Sequence, residues 1–207
     1  MNAEMPLSPF FLVAAATSFV GLGEDYGSVL FGPQGEFVET VLREVRGPRD
    51  DDALVPWDAA FVHHVGYWSH YDHRARRSHW PLPATASVEE LAQFADVSGA
   101  LRLAPLDGDL FLLWSPDAQT FARTGIVARA EVHTRSTREE LLCECVTVEG
   151  NSDEDVSRNG TQVLRLTRKF SPALGDRFIR WTALDGREER REAIERELDW
   201  RARHAAA

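Results

Sequence analysis

The sequence predicts an α+β fold, with helices packed on one side of an antiparallel sheet. Two observations carry this. Apolar residues recur at helical spacing through the first half of the chain, and from about residue 108 the pattern changes to short Val/Leu/Ile-rich runs bounded by turns. Helices first and strands second is the order expected of segregated layers rather than of alternating parallel units.

The first helix is expected in SPFFLVAAATSFVGLGE, with Ser8 as N-cap and Pro9 at the first helical position, where a missing N–H is no loss. A turn-rich stretch, GLGEDYGSVLFGPQG, follows. GEFVETVLREVRG then places apolar residues at 37, 38, 41, 42 and 45, the spacing of one helix face, and Gly47-Pro48 ends that helix. A third helix runs from Asp58 through DAAFVHHVGYWS. An irregular His- and Arg-rich connection leads to SVEELAQFADVSG, where Ser87 and Glu90 have capping-box spacing. Five strands follow, in GDLFLLWS, GIVARAEVHT, ELLCECVTVEG, TQVLRLTRKF and DRFIRWTAL, with the polar loop NSDEDVSRNG between the third and fourth. One domain is expected over residues 1–182. Residues 183–207 read as a charged helix with Glu192–Arg196 and Glu197–Arg201 pairs at spacing four. Its apolar edge is only Ile194, Leu198 and Trp200. Heptads are not sustained, so it is expected to dock on its own domain rather than form a zipper.

The 207 residues, 43% of them hydrophobic, suit a single domain with a sizeable core. The formal net charge is -10, and Lys169 is the sole lysine among arginines. An acidic chain without a basic block argues against nucleic acid as a partner, and mildly against anionic cell surfaces. PFFLVAAATSFVGLG resembles a signal-peptide core, but Glu4 precedes it and no Lys or Arg does. A buried helix is expected there instead, in a cytoplasmic protein without a signal peptide, export by another route being left open. The run is too short and too broken by glycine to span a membrane. Cys143 and Cys145 lie two apart on one strand, so both point the same way, a poor geometry for a disulfide. They are expected as buried thiols.

Four segments carry a family resemblance: the first helix with its GLGEDYGSVLFG exit, PWDAAFVHHVG, PLDGDLFLLWS, and RTGIVARAEV followed by VTVEGN. In this order, over roughly residues 8–170, they resemble the CHAP family of cysteine, histidine-dependent amidohydrolases and peptidases. The resemblance implies a papain-like α+β domain of the kind that cleaves amide bonds in bacterial cell walls. Two positions depart from the pattern. Asp58 stands where the family has its nucleophilic cysteine, and Thr124 where it has its histidine. Glu149 and Asn151, of the Glu-Gly-Asn segment that orients the histidine, remain.

A cysteine amidase needs a thiolate, a base beside it and a group that orients the base. A helix N-terminus favours the thiolate, because its N–H groups and dipole favour an anion. A carboxylate is equally welcome there. Asp is among the best N-cap residues, worth ~1 kcal/mol over Ala. It is nonetheless a poor nucleophile toward an amide, and a threonine hydroxyl does not titrate near neutral pH. Cys145 shares a face with Glu149 and Asn151 if the strand is regular, and is expected to pack rather than react.

The first expectation is therefore a catalytically degenerate CHAP-like domain with a binding or structural role and no cofactor. Asp58, Thr124, Glu149 and Asn151 would satisfy one another or hold a ligand. Trp57, His63, His64 and Trp114 would line the same cleft. The partner would be a peptidoglycan fragment or another protein. The alternative is an active hydrolase with altered chemistry, in which Asp58 and Glu149 flank one cleft as acid and base or bind a metal with a nearby histidine. A third reading is an unrelated α+β domain.

Five histidines, His63, His64, His70, His73 and His79, fall in one short segment with Asp72 among them. His70 and His73, with Asp72 or His79 as a third ligand, could hold a metal. The spacing is not a zinc pattern, and no metal is expected. The other reading is an aromatic and cationic surface that includes Tyr67, Trp68, Tyr71 and Trp80, used for packing or for a polar partner. His63 and His64 are adjacent on a helix, so one is expected buried and the other exposed.

Overall fold

The structure, a computed structural model, describes residues 8–24, 35–46, 55–135, 140–153 and 160–184. The Gly47-Pro48 stop, most of the first turn-rich stretch, most of the polar loop after β6 and the charged tail beyond residue 184 lie outside the described residues.

Four helices form where the periodicity places them: α1 (Pro9–Ser18), α2 (Gly35–Arg46), α3 (Asp58–Ser69) and α4 (Val88–Val97). The main sheet has six strands: β3 (Leu101–Arg102), β4 (Leu110–Ser115), β5 (Thr120–Arg135), β6 (Glu140–Ser152), β7 (Gln162–Phe170) and β8 (Arg177–Ile179). Their order is β3-β8-β4-β5-β6-β7, and every pairing is antiparallel. The α+β class is thus as expected.

Several local features differ from the sequence reading, including the short strand β3, which was not expected. The His/Arg-rich connection is not irregular but holds a small hairpin, β1 (Tyr71–Asp72) with β2 (Arg77–Ser78). Asp72 organises its turn by accepting the N–H groups of Arg74 and Ala75 at 2.7 and 3.1 Å. Strand β5 starts five residues early, because a four-residue turn with Gln119 at φ 53° reverses the chain directly after β4. DRFIRWTAL yields only three strand residues before a 3-10 turn at Trp181–Leu184, where the Trp181 indole donates to the Gly108 carbonyl at 2.7 Å.

The sheet buries both faces. On one, Leu110, Leu112, Ile126, Val148 and Ile179 meet Leu12, Val38, Leu42, Phe61, Val65 and Phe94 from the helices. On the other, Phe111, Val127, Cys143, Cys145, Phe170 and Phe178 form a second cluster. Phe170, at the end of edge strand β7, stacks 5.1 Å from Phe111 and 5.2 Å from Phe178. The sheet therefore curls until one edge meets β4 and β8. Asp176 fastens this closure by accepting the N–H groups of Trp114 at 2.9 Å and Ser171 at 2.8 Å. The cysteines are free buried thiols, and burial pushes Cys145 up to about 12.

Helix α1 is only half covered, contrary to the expected buried helix. Leu12 and Ala16 are fully buried, while Phe10 and Phe11 remain 74% and 48% exposed, because α3, β5 and β6 reach one side of it only. No described helix is long and apolar enough to cross a membrane. Ser8 does sit at the N-cap, but its hydroxyl makes no cap bond. Its N–H instead donates to His70 Nε2 at 3.2 Å. After α1 the chain runs along the outer edge of β7, with Gly21 N–H on the Val163 carbonyl at 2.9 Å and Val163 N–H on the Leu22 carbonyl at 2.7 Å.

Candidate functional site

The site is built where the first turn of α3 lands on the sheet. Trp57, the residue before the helix, is fully buried, and its indole donates to Glu24 Oε1 at 3.1 Å. Beneath it, β6 carries Gly150. A Cβ there would lie 2.6 Å from the Trp57 ring and 2.7 Å from Phe61 Cβ, so the absence of a side chain lets α3 sit down on β6.

Asp58 is the first helical residue, not the N-cap as expected. That place belongs to Trp57, which has no capping side chain. One position inside the helix, the Asp58 carboxylate reaches two backbone donors. Oδ1 accepts from Ala59 N–H at 3.0 Å and Oδ2 from Thr124 N–H at 3.2 Å, across 66 residues of chain. The second bond has a clear origin. The β5–β6 ladder begins at Ile126–Val148 and does not extend to Thr124, so Asp58 supplies the acceptor that the sheet does not. The Thr124 hydroxyl donates to the Phe111 carbonyl at 2.8 Å. Asp58 and Thr124 are each 1% exposed. Burial raises the Asp58 carboxyl to about 6, against the lowering pull of Arg123 and of the backbone donors. It is thus an anionic acceptor at neutral pH and a neutral acid a little below.

Glu149 lies elsewhere. Along β6, Val148 and Gly150 face the helices, while Cys145 belongs to the opposite cluster and Glu149 Cγ lies beside Gly125 and Phe111. Glu149 therefore lies on the face away from the helices, while the Asp58 carboxylate meets the sheet from the helix side at Thr124. Arg123, whose charge acts on Asp58, is tied to Glu149 through Ser152. Arg168 neutralises Glu149 with a bidentate pair, Nε to Oε1 at 2.5 Å and Nη2 to Oε2 at 2.6 Å. The hydroxyls of Thr147 and Ser152 also donate to it. Arg123 Nη2 donates to Ser152 Oγ at 3.0 Å, which joins Arg123 to the same network.

Asn151 leaves the regular strand. Glu149 pairs with Leu164, and the next pair is Ser152 with Gln162, so the strand bulges between them. Asn151 takes the left-handed conformation, φ 54°, which Asn tolerates better than most residues. It is buried, at the bulge where the regular alternation of β6 is interrupted.

Of the expected cleft-lining residues, Trp57 and His64 both pack against Phe37, while Trp114 and His63 have other neighbours. Trp114 packs against Gly175 and, at 5.2 Å, against Phe121, near the β4–β5 turn. His64 bonds Glu44 Oε2 at 2.8 Å and sits edge-on to Phe19 and Phe37. His63 lies 5.8 Å from the Tyr67 ring. Both histidines are half-buried, not one in and one out, because α2 and the aromatic residues of α3 each cover one of them partially. Burial alone would raise Glu44, but hydrogen bonds from His64 and Trp68 outweigh it and hold its carboxyl below the usual range.

His70 is structural. Its Nε2 accepts from Ser8 N–H, so Nδ1 carries the proton and donates to the Gly66 carbonyl at 3.1 Å. The ring lies against Trp80 and Trp181. Burial lowers its pKa below the ordinary value, so it is neutral in the fold. With both nitrogens engaged and Asp72 holding its turn, the imagined ligand set is committed elsewhere. Among the described residues no group of three His, Cys, Asp or Glu side chains is arranged for a metal.

The sequence reading missed Glu24, Arg123, Ser152 and Arg168. Only Arg168 left a signal: in β7 it alternates with Leu164 and Leu166, on the side opposite Arg165 and Lys169. No family model matches the chain, and no curated protein or solved structure matches it significantly.

Proposed function

We propose that the chain is a catalytically degenerate CHAP-like domain of papain-like type, and that it serves as a binding or structural module rather than as an amidase. The observation that carries this is the direct contact of positions 58 and 124, which the resemblance pairs as nucleophile and base. Here they form a buried strut, carboxylate to backbone N–H at 3.2 Å, joining α3 to β5. That supports a site converted from reaction to architecture. Acid–base chemistry shared by Asp58 and Glu149 is less well supported, since Glu149 is committed to Arg168 and Asp58 to two backbone N–H groups.

Incubation with purified peptidoglycan and with muropeptides tests the loss of activity. No product is expected from the natural chain. Turnover that disappears in a folded Asp58→Ala variant overturns the proposal. The family correspondence is tested by the double variant Asp58→Cys/Thr124→His. Its thiol is expected to alkylate with an apparent pKa below that of Asp58→Cys alone, as a cysteine beside an imidazole does. Identical profiles would count against the correspondence.

A further inference from the structure

We infer that the end of α3 and the β1–β2 hairpin form a docking surface for a short acidic segment of a partner protein. This goes beyond the degenerate-enzyme reading and does not depend on it. Tyr67, Trp68 and Tyr71 form a ring cluster with centroids 5.3 to 5.6 Å apart, and His73 lies 5.1 Å from Tyr71. Trp68 is 50% exposed, yet its indole is fixed by donating to Glu44 Oε1 at 2.8 Å. Beside these rings the hairpin exposes Arg74, Arg76 and Arg77. The Asp72 turn holds it in shape, with Arg76 in the left-handed conformation at φ 53°.

Two described carboxylates near this surface are engaged within the fold. Asp72 accepts its turn N–H groups, and Glu44 is held by His64 and Trp68. Half-exposed Trp and Tyr beside Arg is the composition of interaction hot spots, and a rigid turn lowers the ordering cost of binding. Arginine, rather than lysine, suits bidentate pairing with carboxylates. Charge selects the size of the partner. The chain as a whole carries -10, so a long polyanion or an anionic membrane meets net repulsion. A short segment within a Debye length, about 8 Å at physiological salt, senses mainly the hairpin.

The test uses the full chain, a labelled hexaglutamate peptide, a hexalysine control, a heparin hexasaccharide and anionic vesicles. Saturable binding of hexaglutamate is expected, weakened by salt, with movement of the Trp68 indole resonance. Arg74→Glu/Arg76→Glu, two exposed positions, is expected to weaken it by about tenfold or more. Absence of saturable binding overturns the inference. So does affinity unchanged in the double variant, or tighter binding of the hexasaccharide or the vesicles than of the peptide.

Discussion

Arg168 and Glu149 pair on the inner side of β7 and β6, where the Glu149 side chain is 1% exposed and the Arg168 side chain 12%. Removing one member leaves a charge that water does not reach. Arg168→Met is expected to cost about 3–5 kcal/mol, while Glu149→Leu/Arg168→Met together cost far less. Urea unfolding of the four chains in a double-mutant cycle checks this, and additive losses would show that the two groups are not coupled. Such a residue is legible only by its place in an alternation. Glu149 was visible as a residue but not as a member of the far face, because its side depends on strand register. The face of Asn151 could be read only for a straight strand, and the bulge at this point is silent in sequence. The resemblance singled out Asp58 and Thr124, but the particular bond between them was not foreseen. It follows from where one ladder begins.

Glycines set how closely the elements approach. Gly66 lies mid-helix in α3, and a Cβ there would come within 2.2 Å of the Trp80 ring. Gly150 meets Trp57 and Phe61 in the same way. Gly150→Ala is expected to lift the first turn of α3 from β6, costing about 1–3 kcal/mol. Hydrogen exchange of the Thr124 amide then speeds up more than that of Ile126 in the ladder. Equal protection in variant and natural chain would mean that α3 is seated by other contacts. The long helices and strands could be read from sequence because each repeats its pattern over several turns or pairs. Two-residue strands such as β1 and β2 have no period to read, and the early start of β5 hangs on a single turn residue.

For the molecule as a whole, two buried groups pull the pH dependence of stability in opposite directions. The Asp58 carboxyl rises from 3.8 to about 6 in the fold, so between those values the folded chain binds the proton that the unfolded chain releases. Its contribution is full below pH 3.8 and is lost as pH rises through 6, by about 3 kcal/mol at 1.36 kcal/mol per unit. His70 is lowered from 6.5, so its contribution is present above 6.5 and is lost as pH falls below it. Denaturant titrations from pH 4 to 8 should show Asp58→Asn gaining on the natural chain as pH rises. His70→Phe should lose ground over the same range. A parallel pair of curves for either variant would remove that group as a source of the dependence.

The strip of chain from Gly21 to Glu24 has a consequence for the order of folding. It hydrogen-bonds to Thr161 and Val163, so helix α1 is anchored by strand β7, which is synthesised long after it. A nascent chain cannot make these edge bonds after α1 until β7 has left the ribosome. Such long sequence separation slows folding and leaves the apolar side of α1 waiting during synthesis. Relocating the N-terminal segment by circular permutation, so that α1 is made after β7, should shorten that wait and raise the refolding rate.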